Sequence, residues 1–401
     1  MINVEEIFSK LREVLSNLGY EKYVDVESSH ISGISYINIG KAGLEFLKDL
    51  YTSKCRVKVF TTCNPMCMCI EDLYRENCEI CKAQLEILKI LKSIGVSTWF
   101  TCIPYEYQNI KPRRFYAWSE SSAVAFINSI YDAYVEKLPG PLALICALVG
   151  KMPLIGLSNP KNRIPKIYVE VRNNRELNCV EAGVLGKIIG EKYSKDLDVV
   201  YLKPSKTLFK NIESLKSFLA SFSTYSNSTL VIIDRLSTNY KYYRDSMNIE
   251  SRLSIDIRDI EREIKDISIQ LSLRDLKKHE IVVLGCPHMS KDSVRKICHL
   301  DKFKCELFNN VWIFTSRFCK MFLNGNVCFK IIYDTCLFVS SYIDSIVEKY
   351  DVIYTNSVKQ YHYLSKRVRN IDVRLSVIRE IEEVLNTGDR SLPIYVKRKE
   401  A

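Results

Sequence analysis

The stretch EICKAQLEILKILKSIGVSTWFTCIPYEY, residues 79–107, passes from one structural period to another within a few residues. Leu85, Leu88, Leu91 and Ile94 recur on one helical face, and Gly95 supplies a stop. From Val96 onward β-branched and aromatic residues take over, and the run ends at Cys102, Pro104 and Tyr105, which predicts a strand finishing at a thiol. The same grammar returns in EIVVLGCPHMS from Glu280 and in CFKIIYDTCLF from Cys328. Three predicted strands therefore finish at or beside a cysteine: Cys102, Cys286 and Cys336.

Further β runs are expected at 55–62, 166–171, 198–202, 229–234, 311–316 and 351–355, with helical patterns between most of them. That alternation gives an α/β class with largely parallel, doubly covered sheets. A chain of 401 residues exceeds what one core usually supports. The segment 255–280 carries Ile257, Ile260, Ile264, Ile267 and Leu271 on one stripe and reads as a single long helix. It marks the expected boundary between a region 1–275, carrying Cys102, and a C-terminal α/β domain 276–401, carrying Cys286 and Cys336. The tail after Thr387 is expected to be partly loose.

Apolar residues at 47% and charged residues at 26% are ordinary for a globular protein. No apolar run reaches the roughly 18 residues of a membrane span, and the opening MINVEEIFSKLREV lacks a signal-peptide core, so a cytoplasmic chain with no membrane partner is expected. The net charge of +11 is spread in short clusters such as KPRR at 111–114, without a nucleic-acid-binding motif. A solvated basic surface, or an anionic small substrate, accounts for it better than nucleic acid.

Fifteen cysteines without a secretory signal do not form a disulfide framework, and most should be small core residues. Cys63, Cys67, Cys69, Cys78 and Cys81 crowd one segment, whose final pair has CxxC spacing; a zinc or second iron–sulfur site and plain core packing both stay open there. Cys102, Cys286 and Cys336 differ by position, because ligands gather outside the carboxyl ends of parallel strands. Three thiolates from separate segments could hold three corners of an iron–sulfur cube and leave the fourth iron open as a Lewis acid.

Several blocks together resemble the aconitase X family, in its order: SSHISGISYINIGKAGLEFL (28–47), TCIPYE (101–106), AWSESSAVAFINSI (117–130), VLGCPHMS (283–290), VWIFTSR (311–317), DTCLFVS (334–340) and TNSVKQYHY (355–363). The resemblance implies an aconitase-like α/β large subunit of an iron–sulfur hydro-lyase, with three-layer domains around a central cluster. It also implies a small swivelling partner subunit that closes the site. The substrate it implies is a phosphorylated hydroxy acid, in one branch 5-phosphomevalonate, dehydrated to anhydromevalonate phosphate on an archaeal route to isoprenoids. The cluster, most simply 4Fe–4S, would be held by Cys102, Cys286 and Cys336. Substrate contacts carried over are Gly33, Ile34, Ser35, Asn64, Pro65, Glu120, Ser121 and Lys359, with Glu120, Ser121 and Lys359 as catalytic candidates. His288 and His30 fall in matching blocks.

The chain departs from the family after Asn128 and Ser129. Where the family has a glycine–alanine–arginine–threonine–asparagine run, it reads IYDAYVEKLPG, without the arginine that would clamp a carboxylate. Two function classes follow: a hydro-lyase subunit, and a divergent cluster-binding paralogue with weak or no turnover in a regulatory or redox-sensing role. Asp132, Glu136 and Lys137 are the residues available to replace the clamp.

Overall fold

The computed structural model describes residues 3–192, 198–300, 310–322 and 329–387, without the side chains of His299, Leu300 and Phe322. The tail after Thr387 and Cys328 lie outside the described residues. Three parallel sheets carry the molecule. The first is three-stranded, in the order Phe60–Cys63, Ser28–Ile31, Tyr116–Trp118. The second has four strands, in the order Val231–Ile233, Val200–Pro204, Ile167–Arg172, Ser251–Asp256. The third has six, in the order Ser268–Leu271, Asp372–Ile378, Val352–Thr355, Glu280–Met289, Val311–Thr315, Lys330–Tyr333. The antiparallel pair Tyr23–Asp25 with Lys151–Pro153 stands apart from them.

Burial explains the apolar runs. Every residue of Glu280–Met289 is buried, as a central parallel strand covered on both faces requires. The helix Glu79–Ser93 buries Ile87, Leu88 and Leu91 and ends at Gly95, whose φ of +93° favours glycine. One apolar core joins the N-terminal part to the six-stranded sheet, and a second lies around the four-stranded sheet and the helix Ser121–Tyr131.

Two sequence expectations are corrected. Val96–Cys102 is not a strand: Ser97 makes an isolated bridge to Thr62, and the chain turns at buried Phe100, whose φ of +46° breaks the extended run. The segment 255–280 is not one helix either. Asp256 caps a helix Ile257–Ile267, closed by a capping box with Asp259; the chain then extends at Ser268 and pairs with Leu375–Ile378 as an edge strand. The six-stranded sheet thus takes its first strand from ahead of residue 276. The run 55–62 contributes a strand only from Phe60, and strands at Ser28–Ile31, Tyr116–Trp118, Ser251–Asp256 and Asp372–Ile378 were not foreseen.

A buried acid tests the packing of the third sheet. Both carboxylate oxygens of Glu382, in the helix Arg379–Leu385, are buried without a hydrogen-bond partner. Burial pushes its carboxyl up to about 7, and Cys179 beside it offsets this only in part. A carboxyl raised in the folded state contributes stability below its unfolded value near 4.5, and that contribution is lost as pH rises through about 7. Glu382→Gln is expected to raise stability by about 2 kcal/mol at pH 8 and by much less at pH 5, measured by denaturant unfolding at both pH values.

Candidate active site

The carboxyl edges of two sheets face one cavity. From the three-stranded sheet, the turn after Ser28–Ile31 supplies Ser32, Gly33, Ile34 and Ser35, the turn after Phe60–Cys63 supplies Asn64 and Pro65, and the turn after Tyr116–Trp118 supplies Glu120 and Ser122. From the six-stranded sheet come Cys286 and Pro287, Cys336 with Phe338 and Val339, and Lys359. Cys102 completes the wall, and the space enclosed is about 210 Å³. Ligands gather at this edge of parallel sheets because loops there are free to vary while the strands hold them in place.

The two edges are sewn together. Ser35 Oγ donates to the Val339 carbonyl at 2.7 Å, Met66 N–H donates to the Asp334 carbonyl at 2.8 Å, and Thr335 Oγ donates to the Met66 carbonyl at 2.6 Å. Arg317 forks onto Glu71 with two bonds of 2.9 Å and also reaches Asp334. Gly33 has a φ of +69°, yet a Cβ there would meet nothing nearer than Ile39 at 3.9 Å. Glycine is needed at this turn for its backbone conformation, not for space.

His288 ties the three cysteine segments to one another. Its backbone N–H donates to Cys102 Sγ at 3.1 Å, and its Nε2 contacts the Thr335 carbonyl at 2.8 Å. A carbonyl only accepts, so Nε2 carries the proton and Nδ1 faces Thr101 Oγ at 3.3 Å. Burial lowers the ring to about 4, so it is neutral. Ser357 lies beside Cys286 and the Phe338 backbone beside Cys336, each easing the rise that burial imposes on the thiol. Behind them Lys216, 1% exposed in its side chain, donates to the His288 carbonyl at 2.7 Å and pairs with Glu213 at 3.1 Å and Glu106 at 3.4 Å.

The donor set fits a cluster better than a single ion. Around this cavity no three His, Cys, Asp or Glu ligand atoms lie within 4.8 Å of one another among the described residues. Tetrahedral thiolates on one zinc, with bonds of about 2.3 Å, would stand about 3.8 Å apart. Burial pushes all three thiols up, Cys286 to about 12. A cationic centre is what would hold such buried sulfurs as thiolates.

Opposite them lies a polar chain. His30 Nδ1 contacts Thr62 Oγ1 and its Nε2 contacts Asn64 Oδ1, both at 2.7 Å; Asn64 Nδ2 donates to Glu120 Oε2 at 2.6 Å. Glu120 Oε1 accepts from Ser122 Oγ at 2.9 Å and from Lys359 Nζ at 3.2 Å. Burial would raise the Glu120 carboxyl, but Lys359, Asn64 and Ser122 outweigh it and hold it near 2. Burial likewise opposes the Lys359 charge, but Glu120 together with Cys286, Tyr363 and Cys102 outweighs it, raising the ammonium above its ordinary value.

Ten of the eleven expected site residues line this cavity; Ser121 does not, although its Oγ accepts from Lys359 at 3.3 Å. Ser32, Asn38, Ser122, Phe338 and Val339 line it without having been singled out. Ser122 and the Phe338–Val339 pair stood inside recognised blocks, where a register one to three residues longer would have included them. None of the three residues available as a replacement clamp lines the cavity: Asp132 binds Arg163, Arg113, Asn239 and Tyr243, Glu136 accepts the Leu157 N–H at 2.7 Å, and Lys137 is exposed away from it. The cysteine-rich segment does not converge on a four-ligand site: Cys78 and Cys81 form a disulfide, Cys63 and Cys67 are buried, and Cys69 contacts Tyr342.

Comparison with known proteins agrees with this arrangement. The chain matches the aconitase X first domain over residues 5–160 and the aconitase X third domain over residues 279–386. It is 30% identical to a Thermococcus kodakarensis phosphomevalonate dehydratase large subunit, over 93% of this chain and 94% of that protein. It is 29% identical to the Aeropyrum pernix protein of the same name, over 95% and 94%. The fold superposes on the holo-form crystal structure of Thermococcus kodakaraensis aconitase X with a TM-score of 0.78 and 26% identity, covering 96% of each chain. Matched along nearly its whole length, in sequence and in fold, the chain belongs to the aconitase X family.

Proposed function

We propose that this chain is the large subunit of a phosphomevalonate dehydratase, a hydro-lyase that converts 5-phosphomevalonate to anhydromevalonate phosphate together with a small subunit. Relatives of that name match over nearly the whole chain, and the observation in the structure that carries the reading is the single cavity. It sets three thiols on one wall against a Glu120–Lys359 pair on the other. Cys102, Cys286 and Cys336 would hold a 4Fe–4S cluster through three of its irons. When bound, the cluster supplies a Lewis acid for the departing hydroxyl group.

The chain's own residues account for the rest of the binding step. Lys359 offers a buried positive charge to the substrate carboxylate or phosphate, and the backbone of Gly33–Ser35 is open to an anion. With the family arginine missing, Lys359 is the cation that lines the cavity among the described residues. Glu120, held near 2, is too weak a base at neutral pH to remove a carbon-bound proton; it keeps Lys359 charged and accepts a hydrogen bond from a substrate hydroxyl. The base is therefore assigned to the partner subunit that completes the open site. Relatives named as large subunits support such a partner. No helix among the described residues is long and apolar enough to cross a membrane.

The division we propose is an N-terminal region carrying Cys102 and a C-terminal domain carrying Cys286 and Cys336, its boundary near residue 268, where the six-stranded sheet begins. The function is tested by an anaerobic assay of this chain, iron-loaded and combined with a small subunit from an archaeal relative. Loss of water from 5-phosphomevalonate is expected. A loaded complex that leaves it unchanged while binding it would favour the cluster-binding paralogue without turnover.

A further inference from the structure

The CxxC pair lies outside the cavity wall, and its chemistry is unused by the dehydration. Cys78 is the N-cap of the helix Glu79–Ser93, half-buried, with its Sγ accepting the Cys81 N–H at 3.1 Å. Cys81, one turn in, is buried at 1% exposure. The two sulfurs are joined, and a carboxylate oxygen of exposed Glu76 lies within 4.8 Å of both. A thiol at a helix N-terminus that also receives a backbone N–H is stabilised as thiolate, the form that attacks a disulfide. A half-buried thiol at the helix N-cap, a buried second thiol at bonding distance and a carboxylate beside them are the parts that two-step exchange requires. The same helix carries buried Gln84, which accepts the Tyr36 N–H at 2.9 Å and donates to the Ile34 carbonyl at 3.1 Å, so the pair sits on the element that anchors the cavity turn.

We propose that Cys78 and Cys81 form a thiol–disulfide exchange site for a small-molecule disulfide, with Cys78 attacking, Cys81 resolving and Glu76 accepting the Cys81 proton. In the first step the Cys78 thiolate bonds to one sulfur of the external disulfide, and one external thiolate leaves. In the second the Cys81 thiol gives its proton to Glu76, its sulfur bonds to Cys78 Sγ, and the second external thiolate leaves. The protein dithiol is oxidised by two electrons, one external disulfide is reduced to two thiolates, and the proton passes from Glu76 to solvent, from which the thiolates are protonated.

The test uses the full chain, held anaerobically in glutathione buffers of stepped oxidised-to-reduced ratio, quenched in acid, alkylated and digested with trypsin. Cleavage after Arg75 and Lys82 isolates Glu76–Lys82, a peptide whose only cysteines are this pair. In the wild type both alkyl groups are expected to disappear together, as one two-electron transition. Cys81→Ser should accumulate a glutathione mixed disulfide on Cys78, whereas Cys78→Ser should leave Cys81 unmodified over the same time. Glu76→Gln should slow ring closure from the mixed disulfide roughly tenfold or more. The proposal is overturned if the pair stays dialkylated at every ratio, or if Cys81 forms the adduct as fast in Cys78→Ser. It is overturned equally if the reduced chain carries one zinc that Cys78→Ser removes, since the pair would then be metal thiolates.

Discussion

Cys102→Ser, Cys286→Ser and Cys336→Ser, each made singly, are expected to strip iron and acid-labile sulfide from the chain and to lower the dehydration rate by at least ~10³. A metal Lewis acid contributes several kcal/mol to loss of a poor leaving group, and about 4 kcal/mol corresponds to that factor. Each substitution should act alone because the three sulfurs come from three separate segments: the turn before Pro104, the strand Glu280–Met289 and the loop after Lys330–Tyr333. The thiols in and after the strand Phe60–Cys63 are not placed to take over, since Cys63 and Cys67 pack in the core and Cys69 accepts a hydrogen bond from Tyr342. Serine keeps the volume, so the thermal midpoint should move little relative to the cluster-free wild type. Cys63→Ser and Cys67→Ser are the matched controls, expected to keep their iron. Iron and sulfide analysis with electron paramagnetic resonance reads the result, and full iron content in any of the three variants would remove that cysteine from the ligand set.

How much of this could be read from residues alone varies along the chain. The helix Glu79–Ser93 was legible because its apolar period and its glycine stop are local. The strand following it was misread because the turn at Phe100 is imposed by packing: a buried phenylalanine at positive φ leaves no local trace. The stripe from Ile257 to Ile267 is a real helix face, but its continuation to Leu271 is coincidence. The partner that pulls Ser268–Leu271 into a sheet, Leu375–Ile378, lies about a hundred residues away. The three thiols were legible as a set, as was their separation in sequence. The stapling role of His288 was not, because it depends on Thr101 and Thr335 arriving from two other segments.

Lys359→Met is expected to do more damage than Glu120→Gln, and to a different observable. Both break the 3.2 Å pair on the cavity wall, but the methionine leaves a buried carboxylate without its cation, whereas the glutamine leaves an ammonium that Ser121 still contacts. Removing one partner of a buried ion pair costs about 3–5 kcal/mol of stability, so Lys359→Met should be assayed well below its lowered midpoint. In the wild type Glu120 is held near 2, below the ordinary value near 4.5. Its contribution to stability is therefore present above about 4.5 and lost only as pH falls through about 2, and kcat/KM should show no acid limb from it between pH 5 and 8. Without Lys359 the largest remaining influence on Glu120 is burial, which raises it. Lys359→Met should consequently show a new acid limb within that range, and Glu120→Gln, which cannot ionise, should show none while losing roughly 10²-fold in kcat. The double variant separates the roles: if its pH profile is flat, the new limb belongs to Glu120, and a limb that persists there would place the titrating group elsewhere in the cavity.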